Sequence, residues 1–229
     1  MSKYKKIKPR VPEGEAIVDL PEFTMEDLNE SFKKRMWEYR SFVKFMLNHF
    51  SIKDYSNVLE IGPGPGWITI LLSQANPTLK IIGLELSEDM IRVANENKYK
   101  ERVTKNIDFI KGDAKNIDIF EDKSFDIVIS SDSLHHWEDP VKVFNEIHRV
   151  LKENGKFCVK DGRRDIGVAA KFVYNLAKLF ISKTMSYFWK TSIMAAYTPD
   201  ELKDLLDHSQ LKDKYKTKTD LFDILVYSR

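Results

Sequence analysis

Val58-Leu59-Glu60-Ile61-Gly62-Pro63-Gly64-Pro65-Gly66-Trp67-Ile68-Thr69 is the stretch of sequence that decides the fold. An apolar run ends in an acid, three glycines follow at every second position, and a helical pattern then begins. This order predicts a buried strand, a tight turn and the start of a helix. Because glycine has no Cβ, the backbone can approach a ligand closely, and the free N–H groups of the helix start would face it. The sequence therefore predicts a ligand site at this turn.

Two well-known glycine motifs do not fit this turn. The dinucleotide fingerprint G-x-G-x-x-G needs its third glycine where this chain has the bulky Trp67. The phosphate loop needs Gly-Lys-Ser/Thr, and no such triplet follows. What remains is E-x-G-x-G-x-G, from Glu60 to Gly66, which resembles the first motif of the class I S-adenosylmethionine-dependent methyltransferases. An ordinary strand–helix turn rich in Gly and Pro is the alternative, so further motifs in the chain are needed to distinguish the two interpretations.

A second acid supports the resemblance. Glu85 ends another apolar run, 25 positions after Glu60, and this separation fits one strand–helix–strand crossover. Parallel strands joined in this way bring Glu85 beside the glycine turn, where its two oxygens could accept hydrogen bonds from ribose hydroxyls. An acidic residue at a helix start is the plainer interpretation of Glu85.

The resemblance implies the cofactor and the residues that bind it. The cofactor is S-adenosylmethionine, its product is S-adenosylhomocysteine, and the acid before the glycine turn faces the methionine end. Asp113, after a third strand with Ile107 and Phe109, matches the acid that accepts a hydrogen bond from the adenine amino group. The predicted cofactor-binding residues are Glu60, Gly62, Gly64, Gly66, Glu85, Leu86, Met90, Asp113, Ala114, Ser130 and, from the helix preceding the glycine turn, Tyr39.

Two histidines are candidates for catalysis. His135 and His136 follow a fourth strand, Phe125 to Ser130, near the place where the methyl group should point. Since histidine titrates near neutrality, either could act as a general base, and we favour His135. The alternative is that one of them packs in the loop and neither takes part in chemistry.

Three motifs argue against particular classes of methyltransferase. Ser131-Asp132-Ser133 stands where base-amine methyltransferases carry an Asn/Asp-Pro-Pro-aromatic motif, which argues against that class. Asp132 and Asp161 match acids of metal-dependent catechol enzymes, but Gly162 replaces the neighbouring ligand, so no metal is expected. The single cysteine, Cys158, is too few for arsenic methylation.

The predicted function is therefore in-line transfer of the sulfonium methyl group to a small organic acceptor, whose reacting atom stays open. RNA methylation, recruited by a basic N-terminal arm, is one alternative. A cofactor-binding protein that lacks catalysis and acts through a partner is the other.

Bulk properties add few constraints. The net charge of +2 gives no general argument for a nucleic-acid or membrane partner. No apolar run approaches the length of a membrane span, and no apolar core follows the basic start, so we expect a cytoplasmic protein. The oligomeric state stays open.

The fold expected from five strand–helix units is α/β: a doubly wound, mostly parallel, seven-stranded Rossmann-like sheet. A C-terminal antiparallel hairpin, at about 214–219 and 222–227, closes the sheet. One N-terminal helix should run from Thr24 to Phe50, and the helix after the fourth strand should end at Asn154-Gly155. We expect a flexible basic arm over 1–23 and a single methyltransferase domain over 24–229.

Residues 166–197 are predicted to form a helical lid, broken near Ser182. The segment has one narrow polar stripe and an apolar arc too wide for one sheet face to cover. Packing against the protein core on two sides is the first explanation. A roof over the acceptor, or contact with a lipid surface through a basic and aromatic face, is the alternative. Substitution of Phe172, Phe180, Phe188 and Trp189 should distinguish the core-packing explanation from the alternative.

Overall fold

The structure, a computed structural model, describes residues 8–12, 24–177, 179, 181 and 183–229. Its strands are β1 Asn57–Ile61, β2 Lys80–Glu85, β3 Ile107–Lys111, β4 Phe125–Ser131, β5 Leu151–Gly162, β6 Tyr215–Thr219 and β7 Asp223–Ser228. Its helices are α1 Met25–Lys33, α2 Met36–Phe50, α3 Trp67–Ala75, α4 Glu88–Lys100, α5 Pro140–Val150, α6 Val168–Ala177, α7 Lys183–Ala195 and α8 Pro199–Asp207. A 3-10 turn, Leu134–His136, lies between β4 and α5.

The seven strands form one sheet in the order β3-β2-β1-β4-β5-β7-β6. Strands β1 to β5 are parallel, and β7 pairs antiparallel with both β5 and β6. The predicted doubly wound fold and its terminal hairpin are thus confirmed. The strand order reverses between β1 and β4, and in such sheets the crevice outside the carboxyl ends of the strands at this point binds ligands.

The central strands read as apolar runs because helices cover the sheet on both faces. Val58 and Leu59 are adjacent on β1, yet both are buried and belong to different core clusters. Helices α2 and α3 contribute to the cluster around Val58, while α5 and α8 contribute to the cluster around Leu59. The sheet edge is therefore the place where polar groups can gather.

The predicted end of the helix after β4 is wrong. The helix after β4 ends at Val150, and Gly155 lies inside β5 instead of ending that helix. Leu151 pairs with Phe125, and a register shift follows before Lys156 pairs with Ile127. Pairing with β4 thus starts the strand earlier than the glycine signal suggested.

The predicted helix over Thr24–Phe50 is two helices. Thr24 caps α1 through a capping box with Asp27, and the helix ends at Lys33. Arg35 lies in the turn before α2, where its backbone leaves helical geometry. Its guanidinium reaches Glu38 and Asp132, so tertiary ion pairs accompany the break.

The lid segment forms α6 and α7, with the break in the predicted region. Ser182, at which we placed it, and Phe180 lie outside the described residues. Helix α7 contacts the 3-10 turn, and the ring of Trp189 lies 5.8 Å from that of Phe222. Helix α6, by contrast, buries only Ala170 and Tyr174, so it packs on one side and not on two.

Residues 8–12 of the predicted arm lie against the lid. Val11 donates a backbone hydrogen bond to Met194, and Arg10 donates to the carbonyl groups of Ala195 and His135. The other residues of the arm lie outside the described part of the chain, and the domain division at residue 23 stays a prediction.

Candidate functional site

A cavity of about 610 Å³ lies at the carboxyl ends of β1, β2, β3 and β4. Among the predicted site residues it is lined by Tyr39, Glu60, Gly62, Gly64, Glu85, Leu86, Met90, Asp113 and Ala114. Gly66, Ser130 and His135 do not line it. The sheet order sets the sequence of groups along its wall: Asp113 after β3, Glu85 after β2, the glycine turn after β1 and Asp132 after β4.

The three glycines of the turn have positive φ angles, but they meet different surroundings. A Cβ on Gly62 would lie 2.2 Å from Ser133 Oγ, and one on Gly66 would lie 2.5 Å from Phe109 Cζ. Nothing lies within 4 Å of a Cβ placed on Gly64, which lines the cavity. Gly62 and Gly66 therefore make room for protein atoms, and Gly64 leaves room for a ligand.

Glu85 lies beside the glycine turn, as the crossover spacing predicted. Its Oε2 accepts from the Gly64 N–H at 3.0 Å, and its Oε1 accepts from the N–H groups of Leu86 and Ser87 at 2.9 and 3.0 Å. These bonds orient the carboxylate at the cavity wall. They also show that Glu85 holds the turn, a role that the sequence did not indicate.

Glu60 is buried at the end of β1. Thr69 Oγ1 donates a short hydrogen bond to Glu60 Oε2. Burial outweighs this bond and raises the pKa of Glu60 to about 7. An acid in this state can be neutral or charged near physiological pH, according to what occupies the cavity beside it.

Asp113, the predicted partner of the adenine amino group, lies in a tight turn. Asp113 Oδ1 accepts from the Lys115 N–H at 2.9 Å, which leaves Oδ2 facing Lys115 Nζ at 3.7 Å. Lys115 Nζ also forms a short ion pair with Glu138. Since Lys115 and Glu138 both line the cavity, this pair joins the region after β3 to the region after β4.

Ser130 and Gly66 support the backbone around the site. The Ser130 side chain is fully buried, and its Oγ donates to the Ile61 carbonyl at 2.9 Å, which ties β4 to β1. Gly66 is the N-cap of α3. Neither residue lines the cavity in which the cofactor was predicted to bind.

Aromatic rings form much of the remaining wall. Phe32 comes from α1, Tyr39 from α2, Trp67 from α3 and Trp137 from the residue after the 3-10 turn. Burial raises the pKa of Tyr39, so its hydroxyl stays protonated. Trp67 Nε1 donates to Asn29 at 3.0 Å, which attaches α1 to the glycine turn region. The wall suits a flat, apolar ligand.

Asp132, at the end of β4, faces two cations. Arg35 Nη2 lies 3.1 Å from Asp132 Oδ2, and Lys160 adds a second positive charge. Burial alone would raise the pKa of Asp132, but these cations lower it to about 2. The residue has a left-handed φ of 54°, a strained geometry that is common at functional sites. The carboxylate is thus ionised, and Asp132 forms part of the cavity wall.

The two histidines point in different directions. His135 is buried, its Nδ1 lies 2.7 Å from Asp161 Oδ1, and its backbone N–H donates to Asp161 Oδ2 at 2.7 Å. His136 is exposed and lines the cavity. The ring centroids are 4.1 Å apart. The histidine that we favoured for catalysis therefore lies behind the one that reaches the cavity.

Several wall residues were not predicted from the sequence. Phe32, Trp67, Ser133 and Trp137 were not among the predicted site residues, and Asp132 was considered only as a metal ligand that lacks its neighbour. The only signal in the sequence was their position after a strand or in a helix near the glycine turn. Within the described ranges, no three His, Cys, Asp or Glu side chains are grouped as metal ligands.

Comparison with known proteins is consistent with this site. A family described as a methyltransferase domain matches residues 52–220. A demethylmenaquinone methyltransferase of Staphylococcus carnosus is 30% identical over 187 residues, which cover 77% of this chain and 76% of that protein. Another of the same name, from Lactococcus lactis, is 32% identical over 143 residues, 58% of this chain and just over half (56%) of that protein.

A solved structure shares the fold. A crystal structure of an S-adenosylmethionine-dependent methyltransferase from Aquifex aeolicus has a TM-score of 0.67 and 17% identity, and the match covers 90% of this chain and 98% of that one. None of the helices in the described ranges has the length and apolar character needed to cross a membrane.

Proposed function

The chain belongs to the class I S-adenosylmethionine-dependent methyltransferases, and we propose that it methylates a small acceptor with an apolar ring. The observation that carries this proposal is the single cavity shared by the glycine turn, Glu85 and a largely aromatic wall. The first two are suited to the cofactor and the third to the acceptor.

The cofactor side fits S-adenosylmethionine by its donor set. Gly64 leaves open space at the turn, and Glu85 and Asp113 offer carboxylate oxygens on the same wall. We infer that Glu85 holds the ribose hydroxyls, Asp113 the adenine amino group and Glu60 the cationic methionine end. When bound, the cofactor supplies a methyl group already activated by its sulfonium. The protein then has to align the acceptor in line with that group, and alignment can contribute about 7–11 kcal/mol.

The acceptor that we propose is a demethylated menaquinone or a compound of similar ring chemistry. A demethylmenaquinone methyltransferase aligns with 77% of this chain, and Phe32, Tyr39 and Trp137 give the cavity an aromatic wall that suits a fused ring.

Where the acceptor has to lose a proton, we infer that His136 takes it. A general base must reach the proton that it removes, and His136 lines the cavity whereas His135 does not. His135, bonded to Asp161, orients the 3-10 turn and hence its neighbour. This assignment revises our preference for His135.

Calorimetry tests the cofactor assignment. The intact protein should bind S-adenosylmethionine and S-adenosylhomocysteine, and not NAD. Glu85→Ala should weaken binding about ten- to a hundredfold, because a hydrogen bond to a charged group is worth about 1.5–3 kcal/mol. Glu88→Ala, a matched control at the exposed start of α4, should leave affinity unchanged. Equal affinity of Glu85→Ala and the unaltered protein would refute the ribose assignment.

Mass spectrometry tests the acceptor. Purified protein with S-adenosylmethionine should add one methyl group to a short-chain demethylmenaquinone kept reduced as its hydroquinone, whose ring carbon is nucleophilic, and not to RNA. His136→Ala should lower kcat while cofactor affinity holds. Cofactor binding without turnover of the quinone, or turnover of RNA alone, would contradict the proposal.

A further inference from the structure

Helix α6 turns an apolar face to solvent. Val168, Phe172 and Leu176 are spaced by four residues, which places them on one side of the helix. Leu179 follows in the turn after the helix, and we call these four residues the α6 apolar face. Their exposed fractions are 73%, 70%, 50% and 75%. Val173, beside them, is 42% exposed. The buried residues Ala170 and Tyr174 lie on the opposite side, toward the protein.

The α6 apolar face differs from the other exposed apolar side chains of the described residues. Trp37, Tyr55, Tyr99 and Ile119 are exposed singly on separate parts of the chain. Scattered residues of this kind are normal on a protein surface, whereas a contiguous apolar patch marks an interaction site. Packing among the residues that the structure describes does not account for the α6 apolar face.

The charge around this face indicates what it contacts. The segment 166–197 contains four lysines and no Asp or Glu, although the whole chain has a net charge of only +2. Lys171 is exposed next to Phe172. A helix with an apolar face and an exposed lysine, in a segment without acids, is suited to the surface of an anionic lipid layer.

The position of α6 connects this surface with the cavity. Helix α6 begins six residues after β5 ends at Gly162, on the carboxyl edge of the sheet where the cavity lies. Helix α7 then packs on the 3-10 turn that carries His136. None of the described lid residues lines the cavity.

We propose that the α6 apolar face docks on an anionic phospholipid surface, from which an acceptor with a long apolar tail enters the cavity. This inference rests on the proposed methyltransferase function for its acceptor, but the docking itself does not. Phe172, Leu176 and Leu179 would enter the lipid layer, and the lysines would lie at the headgroups.

Vesicle co-sedimentation tests the docking. The full chain should bind vesicles of phosphatidylglycerol and phosphatidylcholine, and bind vesicles of phosphatidylcholine alone far more weakly. The double variant Phe172→Ser/Leu176→Ser should lower the partition coefficient at least about tenfold, since both side chains leave the lipid layer. Tyr99→Ser, an exposed aromatic residue on α4, is the matched control and should bind as before. Lys171→Glu should weaken binding to the anionic vesicles alone.

Three outcomes would overturn the proposal. Equal sedimentation of the double variant and the unaltered protein excludes the face as the docking surface. Equal binding to both vesicle types excludes the electrostatic part. Sedimentation equilibrium showing a dimer that Phe172→Ser dissociates, without vesicle binding, would assign the face to a second copy of this chain.

Turnover separates this inference from the proposed function. A short-chain acceptor in solution should be methylated by the double variant as fast as by the unaltered protein, while an acceptor in vesicles should be methylated more slowly. Loss of turnover with both acceptors, in a variant that still binds the cofactor, would count against the docking role. Absence of turnover in the unaltered protein would count against the proposed function alone.

Discussion

Strands β1 and β4 lie side by side, and an acid near the end of each lines the same cavity, yet the pKa values of the two acids are shifted in opposite directions. Glu60 on β1 has a hydroxyl partner, Thr69, and burial raises its pKa to about 7. Asp132 after β4 is half-buried, and Arg35 and Lys160 lower its pKa to about 2. Neighbouring acids at one sheet edge therefore differ in pKa because their partners differ.

The partners come from different distances along the chain. Thr69 is nine residues from Glu60, within the same strand–turn–helix unit. Arg35 is 97 residues from Asp132 and belongs to the turn between α1 and α2. The end of β1 is thus assembled by local sequence, whereas the end of β4 depends on tertiary packing. This difference can be tested at three points.

The largest effect should come from the contact between the two ends. Gly62→Ala places a Cβ against Ser133 and forces a side chain into a positive φ of 67°. Strain and overlap together should lower the free energy of unfolding by about 3–4 kcal/mol, measured by urea denaturation.

Gly64→Ala is the control for this contact. It has the same positive φ but open space, so it should lose only about 1 kcal/mol of stability. Adding Ser133→Gly to Gly62→Ala should recover the part that is due to overlap. Equal losses in Gly62→Ala and Gly64→Ala would show that the two strand ends are not in contact as described.

The next effect should come from removing the charge at the end of β4. Asp132→Asn keeps a residue that tolerates the left-handed φ but removes the anion that Arg35 and Lys160 share, while Arg35 keeps Glu38 and Lys160 keeps Asp223. Breaking such a buried arrangement, discounted for partial exposure, should cost about 2–4 kcal/mol of unfolding free energy. Asp108→Asn, exposed on β3, is the control and should cost almost nothing. A loss no larger than that of the control would remove the contrast between the two ends.

The smallest effect should appear in the pH dependence of the β1 end. Folding raises the pKa of Glu60 from 4.5 to about 7, so the folded state binds this proton more tightly than the unfolded chain. Its contribution to stability is full below about pH 4.5 and is lost as the pH rises through about 7.

Glu60→Gln should remove that dependence. Relative to the unaltered protein, the variant should gain about 2–3 kcal/mol of unfolding free energy between pH 5 and pH 8. Glu96→Gln, exposed on α4, should show no such change. Parallel stability profiles for Glu60→Gln and the unaltered protein would mean that Glu60 is ionised throughout, like Asp132.

The sequence by itself determined the part of the cavity wall formed by the glycine turn and Glu85. The glycine turn, the crossover spacing to Glu85 and the alternation of strands and helices are local patterns, because backbone geometry and hydrophobic period act over a few residues. The terminal hairpin is predictable for the same reason. Even there, the separate duties of Gly62, Gly64 and Gly66 depend on Ser133 and Phe109, which the motif does not contain.

Tertiary structure alone decided the rest. His135 and His136 are indistinguishable by composition, but successive residues of a 3-10 turn point about 120° apart, so packing determines which one reaches the cavity. The wide apolar arc of the lid predicted helices correctly, yet it could not tell which side of α6 meets the protein. The state of Asp132 depends on charges brought in from distant residues. Local sequence specifies which elements form, whereas burial and charge depend on what those elements are packed against.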